Sequence, residues 1–184
     1  RLAAVEADAA DLKKLLRRLT GDTAELEPWR VQALSALLAG TRSRQLPLDA
    51  QFADANFRQA LRAMVGNAEA TPDGRVAALK LLCRLPGKQG ETDRLLAGQL
   101  TARSPRELFD FSIGELARLD PAAAILLANW KGYSPNRKRA VLQQLLAGEG
   151  SIRSLLAAIR GNEIAVAEIG PIFRQFLTTH RNKA

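Results

Sequence analysis

The chain has 184 residues and a net charge of +8 from 27 basic and 19 acidic side chains; 47% of its residues are hydrophobic and 5% aromatic. Its single cysteine excludes an internal disulfide and a cysteine-based metal cluster, and no apolar run approaches the roughly 18–20 residues that span a bilayer. Leu and Ala dominate, β-branched residues are sparse and no long alternating stretch occurs, so the composition predicts an all-α fold and argues against a sheet.

An opening helix is predicted over about 2–19, where Leu2, Val5, Ala9, Leu12, Leu15, Leu16 and Leu19 lie close to i, i+3, i+4, i+7 spacing and Gly21 is the stop signal. Its acids Glu6, Asp8 and Asp11 are expected to be solvated and to pair with Lys13, Lys14 and Arg17. A phrase then recurs: a proline, an arginine and an apolar helical run. It reads Pro28-Trp29-Arg30-Val31, Pro72-Asp73-Gly74-Arg75-Val76, Pro105-Arg106-Glu107-Leu108 and Pro135-Asn136-Arg137, with the prolines 44, 33 and 30 residues apart. Periods in that range mark solenoids, in which each repeat is one supersecondary unit that cannot bury its own apolar face alone.

Each proline suits the first turn of a helix, where its missing N–H has no partner to lose, and Thr71, Ser104 and Ser134 stand ready as N-caps. First helices are therefore predicted at about 28–39, 72–85, 105–118 and 135–147, and partner helices at about 54–65, 91–102, 121–130 and 150–160. The stops between them are Gly40, Pro86-Gly87, Asp120-Pro121 and Gly148-Glu149-Gly150. A last helix over about 163–179 contains Pro171, which should kink it or split it at Gly170. The expected architecture is a single α-α superhelix of about four helix pairs with flanking capping helices, less regular over 1–53, where 41–54 reads as a long connection, and regular over 54–184. The start at Arg1 without methionine and the charged tail read as a fragment of a larger protein.

Little in the chain speaks for catalysis. The one histidine, His180, sits in a charged tail without spaced ligand partners, so no zinc site is expected. Phosphate-loop, dinucleotide and nucleophile-elbow patterns do not occur, and Gly87-Lys88-Gln89-Gly90 reads as a turn. Cys83 is expected to be a buried, inert thiol and Trp29 to pack. No catalytic, cofactor-binding or metal-binding residue is assigned, and no cofactor is expected.

The candidate interaction surface is basic and aromatic. Arg75, Arg106 and Arg137 are spaced 31 and 31 residues apart, which in stacked repeats makes an arginine row, and Trp130, Lys131, Arg137, Lys138, Arg139, Arg153 and Arg160 cluster with Tyr133 in the C-terminal third. In the favoured reading the arginines pair with neighbouring helices or their carbonyls and Trp130 fills the core. In the other, a concave basic face meets a nucleic-acid backbone, whose affinity comes largely from phosphate contacts.

The phrase Pro-x-x-Arg-x-x-Ala-Leu, seen best in Gly74-Arg75-Val76-Ala77-Ala78-Leu79-Lys80-Leu81-Leu82, resembles the first helix of HEAT-like repeats. The succession Ile125-Leu126-Leu127-Ala128-Asn129-Trp130-Lys131-Gly132-Tyr133-Ser134-Pro135, then Ser154-Leu155-Leu156-Ala157-Ala158-Ile159, then Ile172-Phe173-Arg174-Gln175-Phe176-Leu177, is similar to the helical repeat region of planctomycete-type membrane-bound dehydrogenase proteins. That resemblance implies a non-catalytic scaffold or protein-interaction domain in a larger redox-related protein, an extracytoplasmic location, and other domains of the parent chain or another protein as partners. This chain carries no Cys-x-x-Cys-His, so neither haem nor dehydrogenase activity falls on these residues. The alternative resembles HEAT-like DNA glycosylases, for which Trp130 with Asp120 is the nearest candidate set.

Overall fold

Nine α-helices form among the described residues of the computed structural model, and no strand does. The structure describes residues 26–40, 55–85, 89–119 and 122–179, together with Lys14, Arg18 and Leu19. The predicted opening helix (those three positions apart), the connection 41–54, the stops Pro86-Gly87 and Asp120-Pro121, and His180 lie outside them. The chain divides into two compact units, 1–92 and 93–184.

In the first unit α1 (Pro28–Gly40), α2 (Ala55–Gly66) and α3 (Pro72–Arg84) pack with α3 against both others. The sequence explains this centrality. Seven of the thirteen α3 residues are buried, on more than one side of the helix, so it has apolar surface for two neighbours. Phe57, Leu61, Met64 and Val65 from α2 and Val31 and Leu34 from α1 complete the core, each large side chain contributing roughly 1.5–3 kcal/mol by leaving water. The start of α3 behaves as predicted: Pro72 opens it and the Thr71 hydroxyl accepts from the Gly74 N–H at 3.2 Å. Gly74 is glycine for a reason of space, since a Cβ there would stand 3.1 Å from Thr71 Oγ1 and 3.5 Å from Pro28 Cβ. The bare backbone lets the cap and the head of α1 approach together. Two expectations change here. Trp29 is 56% exposed, with its indole N–H directed to Glu27 and Arg30 near its ring, because the inward positions of α1 are taken by Val31 and Leu34. Cys83 is only half-buried.

The boundary between the units falls inside α4 (Gln89–Gly98), whose Glu91 pairs with Arg62 of α2 in the first unit. In the second unit the order is α5 (Arg106–Leu116), α6 (Ala122–Ala128), a 3-10 turn (Trp130–Gly132), α7 (Pro135–Leu145), α8 (Glu149–Arg160), a 3-10 turn (Val166–Glu168) and α9 (Pro171–Thr179). Consecutive helices pack, α5 with α6 and α7 with α8, while α7 also meets α5 and α8 meets α6. Leu108, Phe109, Leu116, Leu126, Trp130, Tyr133, Leu142, Leu145 and Leu155 form this core.

The observed spans lie within a few residues of the predicted ones, and the last predicted helix is split, with α9 starting at Pro171. The caps differ. Ser104 does not cap α5: Pro105 is the residue before its first turn, and the Ser104 hydroxyl bonds Thr101 at 2.9 Å. Ser134 holds the cap position of α7 without a side-chain bond; its carbonyl accepts from Lys138 N at 2.9 Å. The end of α8 is closed by Asn162, with a left-handed φ of 57°, while Gly161 is right-handed. Glu163 N donates to Ala158 O at 2.9 Å and Asn162 N to Ile159 O at 3.1 Å, the paired bonds of a Schellman end.

Candidate interaction face

The recurring arginine is used inside the protein. Arg75, in the first turn of α3, donates Nε to the Val65 carbonyl at 2.9 Å, satisfying an oxygen in the last turn of α2 that has no helical partner of its own. Arg137, in the first turn of α7, does the same over a longer range. Its guanidinium donates to the carbonyls of Thr101 and Ser104 in the bend before α5, and its carbon lies 4.6 Å from the centroid of the Phe109 ring. Fork-shaped donors suit two carbonyls at once, and the flat cation stacks on an aromatic face. Phe109 in turn meets Tyr133 edge-on, centroids 5.5 Å apart. The Tyr133 hydroxyl donates to the Leu126 carbonyl at 3.0 Å, and burial pushes the phenol up to about 12 despite the opposing charge of Arg137.

A second knot joins the far end of the unit. Trp130 is 2% exposed, and its indole N–H donates to Glu168 Oε2 at 3.0 Å. Lys138 pairs with the other oxygen of Glu168, and its Nζ lies 5.2 Å from the centroid of the Trp130 ring. These two hydrogen bonds hold the Glu168 carboxyl below its ordinary value. A general acid at neutral pH needs the opposite shift, so this carboxylate is a fastener.

Of the residues singled out in the sequence, the structure brings Trp130, Lys138 and Arg137 into or onto the core. Arg106 is 89% exposed and pairs with Asp110 one turn along α5 at 3.3 Å. Lys131, Arg139, Arg153 and Arg160 are exposed. Arg106, Asn136, Arg137, Arg139 and Gln143 line an open groove of about 520 Å³ between α5 and α7. A wider one, about 1020 Å³, runs over α6 and α8, where Ala124, Leu127, Ala128 and Ala157 floor it and Lys131 stands at its rim. Arg75 belongs to the first unit and Asp120 lies outside the described residues. Among the described residues no three His, Cys, Asp or Glu side chains gather as a metal site, and no helix is long and apolar enough to cross a membrane.

Sequence reasoning missed two features. Glu168 sits in no motif, and its role depends on groups 30 and 38 residues away. The other is the face of α9. No residue of that strongly amphipathic helix is buried, and Ile172, 77% exposed, stands with Phe176 at 38% and the nearby Val166 at 53%. A signal was present: Pro171-Ile172-Phe173-Arg174 has the same proline-to-arginine spacing as Pro72 to Arg75. No family model, curated protein or solved structure matches this chain.

Proposed function

We propose that this chain is a non-catalytic HEAT-like scaffold, a stack of helix pairs that displays its outer surface to another protein. The observation that carries the reading is the employment of the repeated arginine: in two copies of the phrase, Arg75 and Arg137 brace the backbone of an earlier segment. A residue recurring in order to tie one helix pair to what precedes it belongs to a repeat stack, whose stability passes between neighbours. The larger redox-related protein as context rests on the sequence resemblance.

One observation favours a second reading. Arg139 is exposed on the groove between α5 and α7, where Arg137 also lies and where Arg106 pairs with Asp110, and this excess of cations over the one carboxylate suits phosphates. Duplex DNA titrated at rising salt separates the two. The scaffold reading expects no saturable binding even at low salt. Saturable binding with a steep salt slope that shrinks in Arg106→Ala/Arg139→Ala replaces it with a nucleic-acid binder.

A further inference from the structure

Helix α7 carries Arg137, Lys138 and Arg139 and no Asp or Glu. Lys138 is turned to Glu168. The other two line the groove between α5 and α7, together with Arg106 of the facing helix. Against these three guanidiniums the groove has one carboxylate, Asp110; Glu107, the other acid at that end of α5, lies outside it. The arginines differ in how they are held. Arg137 is fixed by two carbonyls and the Phe109 ring, and neutral carbonyls leave its charge intact. Arg106 is tied to Asp110 by an exposed pair of the kind that contributes little, so it is readily released. Arg139 is exposed, and its side chain has no hydrogen bond or ion pair among the described residues. Between the cations run neutral groups. Asn136, Ala140 and Gln143 follow at i, i+4 and i+7, one stripe of α7 about 10 Å long. The side-chain amides of Asn136 and Gln143 are exposed and have no hydrogen bond among the described residues.

Resting on the scaffold reading, we infer that this groove binds an acidic segment of a partner protein in extended form, its carboxylates on Arg139 and Arg106 beside the fixed charge of Arg137, and its backbone on the amides of Asn136 and Gln143. Guanidiniums take carboxylates through two parallel bonds. A primary amide has both donors and an acceptor, which is what a peptide unit of an extended chain requires. The length fits, since about 10 Å holds about three residues of such a chain at ~3.3 Å each. The net charge of +8 draws an acidic partner from a distance. A nucleic acid fits this groove worse. Its tight binding rests on about 6–10 phosphate contacts, the groove has three cations, and Asp110 faces a continuous row of phosphates unfavourably. A peptide places a backbone N–H there instead.

The probe is a short labelled peptide of alternating Glu and Ser, titrated against the whole chain by fluorescence anisotropy at low salt. Saturable binding is expected, weakened roughly tenfold or more by Arg139→Glu, as reversal of a charge-assisted contact implies. Arg153→Glu makes the same change in net charge at an exposed position outside the groove and should cost far less. Both arginines are exposed, so circular dichroism and Tm should not change in either variant, which separates binding from folding. Asn136→Ala/Gln143→Ala should weaken binding about threefold and leave its salt dependence unchanged, because it removes only neutral contacts. Absence of saturable peptide binding overturns the proposal, and so does equal weakening by Arg139→Glu and Arg153→Glu. Either result leaves the scaffold reading standing. Saturable duplex DNA binding through Arg139, tighter than that of the peptide, overturns both.

Discussion

The indole N–H of Trp130 donates to Glu168 across 38 residues of chain, at 3.0 Å, and Lys138 holds the other oxygen of the same carboxylate. Because Glu168 is held below its ordinary value near 4.5, its folded form binds a proton less readily than its unfolded form. The stability it contributes is complete above that ordinary value and is lost as pH falls through the lowered folded one. Glu168→Gln should therefore cost up to about 1 kcal/mol at neutral pH, a modest figure because the carboxylate is over a third exposed and screened. The gap in Tm between wild type and Glu168→Gln should close in acid; an equal gap at pH 7 and pH 3 contradicts this role.

Tyr133 gives the opposite dependence at the alkaline end. It is the only tyrosine, so tyrosinate absorbance reports this one group. Native protein should ionise near pH 12 and denatured protein near pH 10. With the folded value raised, its contribution is complete below pH 10 and is lost as pH rises through about 12. Tyr133→Phe should show a flatter alkaline stability profile, although it gives up the bond to the Leu126 carbonyl at every pH.

Ser112 is fully buried and its hydroxyl has no partner among the described residues. An unmet polar group in a core costs about 1–3 kcal/mol. Ser112→Ala should therefore raise stability by about 1 kcal/mol in urea unfolding, and a loss of stability would mean that the hydroxyl is satisfied.

The α8 terminus supplies a paired test. Asn162→Ala forces a β-carbon without a compensating polar group into the left-handed region and should cost about 1 kcal/mol. Gly161→Ala should be tolerated or slightly stabilising, since its φ is −75° and the added Cβ comes no closer than 3.4 Å, to the Ala157 carbonyl, with the Ala158 carbonyl and Glu163 Oε1 at 3.8 Å. The reverse ranking would show that Gly161 carries the turn.

The helices were legible because prolines and apolar periodicity act locally. Pro28, Pro72, Pro135 and Pro171 each open a helix, and Thr71 caps one as expected. Ser104 and Ser134 resemble Thr71 in sequence, but a hydroxyl chooses among nearby backbone groups, and small changes in chain path decide which it meets. Burial of Trp130 followed from its apolar surroundings; exposure of Trp29 did not, since one helix turn contains both inward and outward positions. The site was less legible still. Arg137 reaches carbonyls 33 and 36 residues back and Glu168 reaches Trp130, and no local pattern encodes partners at that range.

Helix α3, enclosed between α1 and α2, has a consequence for how the first unit opens. Its amides are shielded on both flanks and its first turn is capped by Thr71, so solvent reaches its backbone only when the three-helix cluster comes apart. In native-state hydrogen exchange the central amides of α3 should be the slowest among helices α1, α2 and α3 and should report the opening free energy of that cluster. A denaturant series would then show them joining the global unfolding isotherm, while amides of the exposed face of α1 around Trp29 exchange through smaller, local openings.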